Sequence, residues 1–136
     1  MMHKKIQEII DEESVLTICM CVNNKPYCAN SFYAVDWENV RLVIIGDHTT
    51  KHLQMGEQNP LVSGTIYRVK SSMHTEGIQF TGKISQTHDK KDKELYFKRF
   101  PFARMAKTNF WVIDLHYIKC SLFNKGISKK YEWKKN

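Results

Sequence analysis

The chain has 136 residues, a length that fits one domain over 1–136 with enough buried surface for its own core. Apolar residues make up 42% and charged residues 26% of it, a balance typical of globular proteins that excludes a disordered or fibrous chain. The net charge of +7 is uneven, because residues 1–64 hold five Lys/Arg against eight Asp/Glu and residues 65–136 hold sixteen against six.

The first half of the chain predicts two helices and three strands. Ile6, Ile9 and Ile10 recur at helical spacing, with charged residues on the other side. Apolar and β-branched runs on either side of the turn signal at 23–26 predict a hairpin. In chain order, the predicted elements are a helix over 2–13, strands over 15–22, 27–35 and 40–45, and a helix over 49–58.

The second half predicts three more strands and a helix. Residues 77–87 alternate between apolar and polar side chains, and so do residues 110–122, as half-buried strands do. In chain order, the predicted elements are a strand over 61–69, a polar loop over 70–76, a strand over 77–87, a helix over 89–100, a strand over 110–122 and a basic tail from 124. The whole order predicts an α+β fold, with six mostly antiparallel strands in a β-barrel flanked by helices.

The basic second half of the chain has two interpretations, an anionic partner or a solvated lysine-rich surface. Its aromatic residues alternate as buried strand residues do, so nucleic acid is not the expected partner. No apolar run reaches the roughly 18 residues that a membrane-spanning helix needs, and the amphipathic start does not resemble a signal peptide. The expected location is therefore the cytoplasm, with no membrane partner.

Four cysteines predict neither a disulfide framework nor a metal site. Cys19 and Cys21 are too close in sequence for the usual zinc spacing, and no second ligand pair follows. We therefore expect reduced, mostly buried thiols at Cys19, Cys21, Cys28 and Cys120. No nucleophile, P-loop or metalloprotease motif is present either, so the sequence assigns no catalytic residue.

The segment 40–60 holds the most informative cluster of polar residues. A buried strand runs into Gly46, and Thr49, Thr50 and Lys51 follow at the predicted start of a helix. Unpaired backbone N–H groups, two hydroxyls and a lysine would suit a phosphate group. Capping of the helix by Asp47 or a threonine, with the lysine in solvent, is the commoner use of such residues. From the residues alone, capping is the expected role.

Several motifs in order resemble the pyridoxamine 5'-phosphate oxidase-like FMN-binding split-barrel family, most closely its small uncharacterised bacterial members. Thr49–Lys51 hold the place of that family's Thr/Ser-x-Lys-like turn, and Asn59-Pro60 holds the place of its Asn-Pro. Gly77–Ile84 is similar to the following strand of the family, and Arg99–Met105 is similar to a Phe-Pro turn. The resemblance extends from about residue 6 to residue 133 and implies a split barrel.

The resemblance also implies a flavin-dependent oxidoreductase that acts on a small molecule and holds FMN at a homodimer interface. One subunit would supply the edge of the isoalloxazine site and the phosphate turn, and the partner subunit would contribute the region from 104 to 111. The residues implied are Ala29, Asn30, Ser31 and Phe32 at the ring, Thr49, Thr50, Lys51 and His52 at the phosphate, and Arg104 and Trp111 from the partner subunit.

Other roles for these residues stay open. Phe32 and Trp111 also fit core or dimer packing, and Arg104 also fits an ion pair on the surface. The characterised oxidases carry a basic residue on the second strand and a Gln near the start of a later strand, where this chain has Asn30 and Gly77. Oxidation of pyridoxamine phosphate is therefore not expected.

Two other classes of function remain as alternatives. Some split-barrel proteins bind or degrade haem, and His116 or the basic tail could serve there. A non-enzymatic module that binds flavin or nucleic acid is the other alternative.

Overall fold

The computed structural model describes residues 1–136 as three α-helices and one eight-stranded sheet in which every strand pair is antiparallel. The helices are α1 (Lys4–Glu12), α2 (Lys51–Gln58) and α3 (Lys90–Arg99), and a 3₁₀ helix at Pro101–Met105 follows α3. The strands are β1 (Val15–Val22), β2 (Lys25–Phe32), β3 (Ala34–Asp36), β4 (Arg41–Gly46), β5 (Leu61–Ser71), β6 (His74–Thr87), β7 (Asn109–Asn124) and β8 (Ile127–Lys134). The predicted α+β class is confirmed.

The sheet has the strand order β2-β1-β5-β6-β7-β4-β3, and β8 pairs with β7 outside this path. Its two ends do not pair, so the sheet is not closed, and the prediction of six strands is wrong. One added strand, β3, arises because the predicted strand over 27–35 is interrupted at Tyr33. Tyr33 lies between β2 and β3, and its buried hydroxyl donates to the Ile10 carbonyl of α1 at 2.7 Å.

The second added strand, β8, is formed by the basic tail. Lys125 and Gly126 adopt left-handed φ angles of 49° and 84°, and this two-residue turn folds the tail back onto β7. Tyr131 stacks on His3 with a ring-centroid distance of 3.8 Å, and Trp133 packs against the core. The predicted polar loop over 70–76 is also mostly strand, because β5 and β6 extend into it.

The core lies between one face of the sheet and α1. Alternate residues of the central strands point inwards, and the three isoleucines of α1 close the core from one side. A smaller apolar cluster lies under α3, where Tyr96 packs against Val43, Phe110 and Val112. None of the helices has the length and the apolar character needed to cross a membrane.

Two buried ion clusters attach the helices to the sheet. The carboxylate of Glu76 on β6 lies 3.0 Å from Lys5 of α1 and 2.7 Å from Arg68 of β5. Burial opposes the ionisation of Glu76, but the hydrogen bonds from Lys5 and Arg68 outweigh it and lower its pKa. On the other side of the sheet, Arg41 of β4 binds Asp92 of α3. These contacts fix where α1 and α3 sit.

Candidate functional site

The turn between β4 and α2 (residues 46–50) is held at its base by β7. The indole Nε1 of Trp111 donates to the Gly46 carbonyl at 2.9 Å. The side-chain oxygen of Asn109 accepts the backbone N–H of His48 at 2.9 Å. Leu53 of α2 packs so closely over Gly46 that a side chain there would collide with it. The base of the turn is therefore fixed, while its tip is exposed.

Within the turn, Asp47 accepts hydrogen bonds from Thr49 and Thr50, the residues whose hydroxyls could otherwise donate to a phosphate. Its carboxylate accepts from the backbone N–H of Thr49 at 2.8 Å and from the Thr49 hydroxyl at 2.7 Å. The Thr50 hydroxyl donates to the Asp47 carbonyl at 2.8 Å. The two bonds from Thr49 lower the pKa of Asp47, which keeps this carboxylate ionised. Both threonine hydroxyls therefore donate within the turn.

The start of α2 differs from the starts of the other two helices. His3 caps α1 by accepting from the Lys5 N–H at 3.1 Å, and Asp89 caps α3 by accepting from the Lys91 N–H at 2.8 Å. Thr50 occupies the N-cap position of α2, yet its side chain makes no capping hydrogen bond. The expected capping role is therefore not observed. The first backbone N–H groups of α2 lie at the positive end of the helix dipole and have no capping side chain as a partner.

The Lys51 ammonium group lies above the ring of Tyr27 on β2, with 4.4 Å between the nitrogen and the ring centroid. His52 is half-buried, and burial lowers its pKa, so its imidazole is neutral near pH 7. Positive charge at this end of α2 therefore comes from Lys51 and the helix dipole. Tyr27 was missed by sequence reasoning, because its contact with Lys51 depends on how α2 packs against the β1–β2 hairpin.

The four implied residues of β2 divide between two faces of the strand. Side chains alternate along a strand, so Ala29 and Ser31 share the face of Tyr27. Asn30 and Phe32 point to the opposite, outer face. The side-chain oxygen of Asn30 accepts from the Thr17 hydroxyl at 2.8 Å there. The structure thus places half of this set on the side where Lys51 lies.

The remaining implied residues lie apart from the tip of the turn. Phe32 is exposed, and its ring lies 5.4 Å from that of Phe100. Arg104 forms two hydrogen bonds to the carboxylate of Glu94, at 3.2 and 2.9 Å, which is the surface ion pair left open above. Trp111 is only 1% exposed, so its contribution to the turn is the indirect one through Gly46.

A groove lies on the outer face of the sheet, around His116. Thr81 pairs with Tyr117 and Gly82 with Leu115, so His116 is the extra residue of a β-bulge. Its half-buried side chain lines a groove of about 430 Å³. The groove is also lined by Cys19, Met20, Cys21, Pro26, Leu61, Val62 and Ser63.

Solved structures share this fold. A NimC/NimA family protein from Clostridium acetobutylicum superposes with a TM-score of 0.71 and 18% identity, covering 96% of this chain and 91% of that chain. An FAD binding protein from Mycobacterium smegmatis superposes with a TM-score of 0.74 and 15% identity, covering 93% of this chain and 98% of that chain. A heme binding protein from the same organism superposes with a TM-score of 0.73 and 12% identity, covering 90% of this chain and 54% of that chain. At such identities the likeness concerns the fold alone.

Relatives at higher identity carry one family name. A UPF0306 protein of Photorhabdus laumondii is 31% identical over 134 residues, which is 96% of this chain and 94% of that protein. The UPF0306 protein YhbP of Escherichia coli O7:K1 is 31% identical over 135 residues, covering 96% and 92%. No protein-family model matches the chain. On the strength of these full-length relatives, the chain belongs to the UPF0306 protein family.

Proposed function

We propose that the protein binds FMN, with the phosphate at the start of α2. The observation that carries this proposal is the uncapped helix end next to Lys51, which combines free N–H donors with one full positive charge. A phosphate monoester needs both, and helix N-termini commonly supply the first. The FAD binding protein among the fold neighbours and the resemblance to the pyridoxamine 5'-phosphate oxidase-like split barrels support a flavin as the ligand.

The proposed activity is that of a flavin-dependent oxidoreductase that acts on a small molecule. A bound flavin supplies the electron-transfer chemistry, and the protein binds, orients and sets the charge around it. Ala29 and Ser31 share the face of β2 that carries Tyr27, so this face would border the ring of a flavin whose phosphate lies at Lys51. The carboxylate of Asp47 would restrict the phosphate to the Lys51 side of the turn.

The proposal includes a homodimer, because the chain exposes more surface than a monomer of its size. Its accessible surface is 8371 Å², whereas a monomer of this mass is expected to expose about 7,400 Å². The difference is similar to the roughly 800 Å² that each partner buries in a standard interface. Leu61, Tyr67 and Val69 of β5 are 63%, 61% and 64% exposed, and Phe102 and Met105 of the 3₁₀ helix are 91% and 87% exposed. We propose that a second copy of the chain covers these side chains.

Lys51→Ala is expected to weaken FMN binding by about 1.5–3 kcal/mol, on the order of 10- to 150-fold, because it removes a charge-assisted bond to the phosphate. Riboflavin lacks the phosphate, so its affinity should change little. The measurement is a titration of the wild type and the variant with each ligand, followed by flavin fluorescence. The preference for FMN over riboflavin should fall by the same factor.

Lys90→Ala is the matched control, since Lys90 is also the first residue of a helix but follows a capped end. It removes the same charge and should leave the affinity for FMN unchanged. An unchanged affinity in Lys51→Ala, or equal losses in both variants, would remove Lys51 from the phosphate site.

Haem is the second candidate ligand, and the groove around His116 is the observation that favours it. A histidine on a β-bulge at the wall of an open groove can present a nitrogen to haem iron. The heme binding protein from Mycobacterium smegmatis shares the fold, which supports this candidate. The two ligands have different visible spectra, so separate absorbance titrations of the protein with FMN and with haem discriminate between them.

A further inference from the structure

Two cysteines face each other across the β1–β2 hairpin. Cys19 on β1 and Cys28 on β2 are direct partners in the strand register. Their Sγ atoms lie 2.9 Å apart, and both are free thiols. The pair follows from the fold of the hairpin, and neither side chain has a role in the flavin site proposed above.

The turn of the hairpin explains why the two thiols approach so closely. Asn23 and Asn24 adopt φ angles of 53° and 62°, the values of a two-residue type I′ turn. Such a turn makes Val22 and Lys25 a hydrogen-bonded pair, and bonded and non-bonded pairs alternate from there. Cys19 and Cys28 are three pairs further along and form a non-hydrogen-bonded pair. In such pairs the Cα atoms are about 4.5 Å apart, within the range that a disulfide spans.

The two thiols differ in exposure, and this difference decides which of them reacts first with a reagent from solvent. Cys28 is exposed on β2, the free edge of the sheet, whereas Cys19 is half-buried. The expectation of mostly buried thiols is therefore wrong, since Cys21 is exposed as well and only Cys120 is buried. Burial, together with the neighbouring Cys28 thiol, raises the pKa of Cys19 to about 11. Cys28 is therefore the thiol that meets a reagent from solvent first, and Cys19 is placed to react second.

We propose that Cys19 and Cys28 form a reversible cross-strand disulfide by exchange with a small-molecule disulfide. The Cys28 thiolate attacks the reagent R–S–S–R, which forms a mixed disulfide and releases one RS⁻. The Cys19 thiolate then attacks the Cys28 sulfur and releases the second RS⁻. The protein loses two thiol protons and two electrons, and the reagent is reduced to two thiols. Exposed disulfides of this kind are the readily reduced ones.

The test is incubation of the full-length protein with oxidised glutathione, followed by denaturation, alkylation and intact mass measurement, because Cys120 is buried in the folded chain. The wild type should go from four alkylatable thiols to two and lose the mass of two hydrogen atoms, without a retained glutathione. Reduced dithiothreitol should restore all four thiols. Cys19→Ser should instead retain one glutathione on Cys28, because the second thiol is missing.

Cys21→Ser is the matched control, since Cys21 lies on the same face of β1 two residues away. It should form the disulfide as the wild type does. Retention of four thiols by the wild type under oxidised glutathione would overturn the proposal, and so would loss of the disulfide in a folded Cys21→Ser variant. Far-UV circular dichroism of each variant verifies its fold. None of these results depends on flavin binding.

Discussion

Replacement of Arg41 by methionine is expected to lower the free energy of unfolding by about 3–5 kcal/mol, the range for breaking a buried ion pair from one side. The Arg41 guanidinium lies between two carboxylates, with Nη2 2.7 Å from Asp36 and a second bond to Asp92 of α3. Both carboxylates are buried. Without the guanidinium, two like charges remain in the protein interior with only neutral partners, Asn39 and Thr87.

The pH dependence of this loss has a defined sign. Burial raises the pKa of Asp36, but the bonds from Asn39 and Arg41 outweigh it, so the net shift is downwards. A lowered carboxylate pKa stabilises the fold above the ordinary pKa of about 3.9, and this contribution is lost as the pH falls through the folded-state value. The difference between wild type and Arg41→Met should therefore be largest near neutral pH and shrink in acid.

Urea unfolding at several pH values measures both effects, and Arg104→Met is the control. Arg104 pairs with Glu94 on the surface, where both side chains are more than half exposed. Exposed pairs of this kind contribute little to stability, because solvent screens them. Equal midpoints for the two variants at pH 7 would show that the Arg41 cluster does not hold α3 as described.

Gly64→Ala is expected to cost about 3 kcal/mol, the upper end of the range for overpacking. Gly64 of β5 lies between the Thr17 carbonyl of β1 and the ring of Phe80 on β6. A Cβ at this position would meet both at distances that real Cβ atoms do not show. Because one of the two obstacles is backbone, rotation of the Phe80 ring cannot relieve the strain, and the β1–β5 ladder must shift.

Gly77→Ala on the neighbouring strand is the matched comparison for this prediction. Its Cβ would lie 3.2 Å from Cδ1 of Tyr67, a side-chain contact that needs a shift of only a few tenths of an ångström and no movement of backbone. Its effect should be within about 1 kcal/mol in either direction, since alanine also has less conformational entropy to lose than glycine. Thermal or urea unfolding of both variants provides the comparison. Similar stabilities would contradict the close approach at Gly64.

The elements with strong periodicity could be predicted from the sequence, and the departures have local causes. The predicted helix around Ile6, Ile9 and Ile10 and the predicted strands β6 and β7 are present in the structure. Their periodicity is visible in the sequence because one face of each element packs against the core. The predicted strand is interrupted at Tyr33, whose hydroxyl has a buried partner in α1, a long-range contact that no local pattern reveals.

Strand β8 was missed although a signal was present. Lys125-Gly126 is a two-residue turn, and Tyr131 and Trp133 alternate with charged residues as strand residues do. The high lysine content favoured a solvated tail, because long lysine side chains on the outer face obscure the apolar alternation.

At the candidate site, the sequence located the turn but not its hydrogen bonds. The position of Thr49, Thr50 and Lys51 at the start of a helix was predictable from local residues. That both hydroxyls donate to Asp47 depends on the turn conformation, and the contact of Lys51 with Tyr27 depends on helix packing. These contacts decide which groups remain for a ligand, so the site could be predicted only in outline.

The most direct test of the account is a visible absorbance titration of the purified protein with FMN, with its molar mass measured by light scattering. We expect a flavin spectrum that shifts on binding and saturates at one FMN per chain, on a particle with the mass of a dimer. A monomer whose addition leaves the spectrum of FMN unchanged would contradict the account. A Soret band on addition of haem, without any response to FMN, would identify haem as the ligand instead.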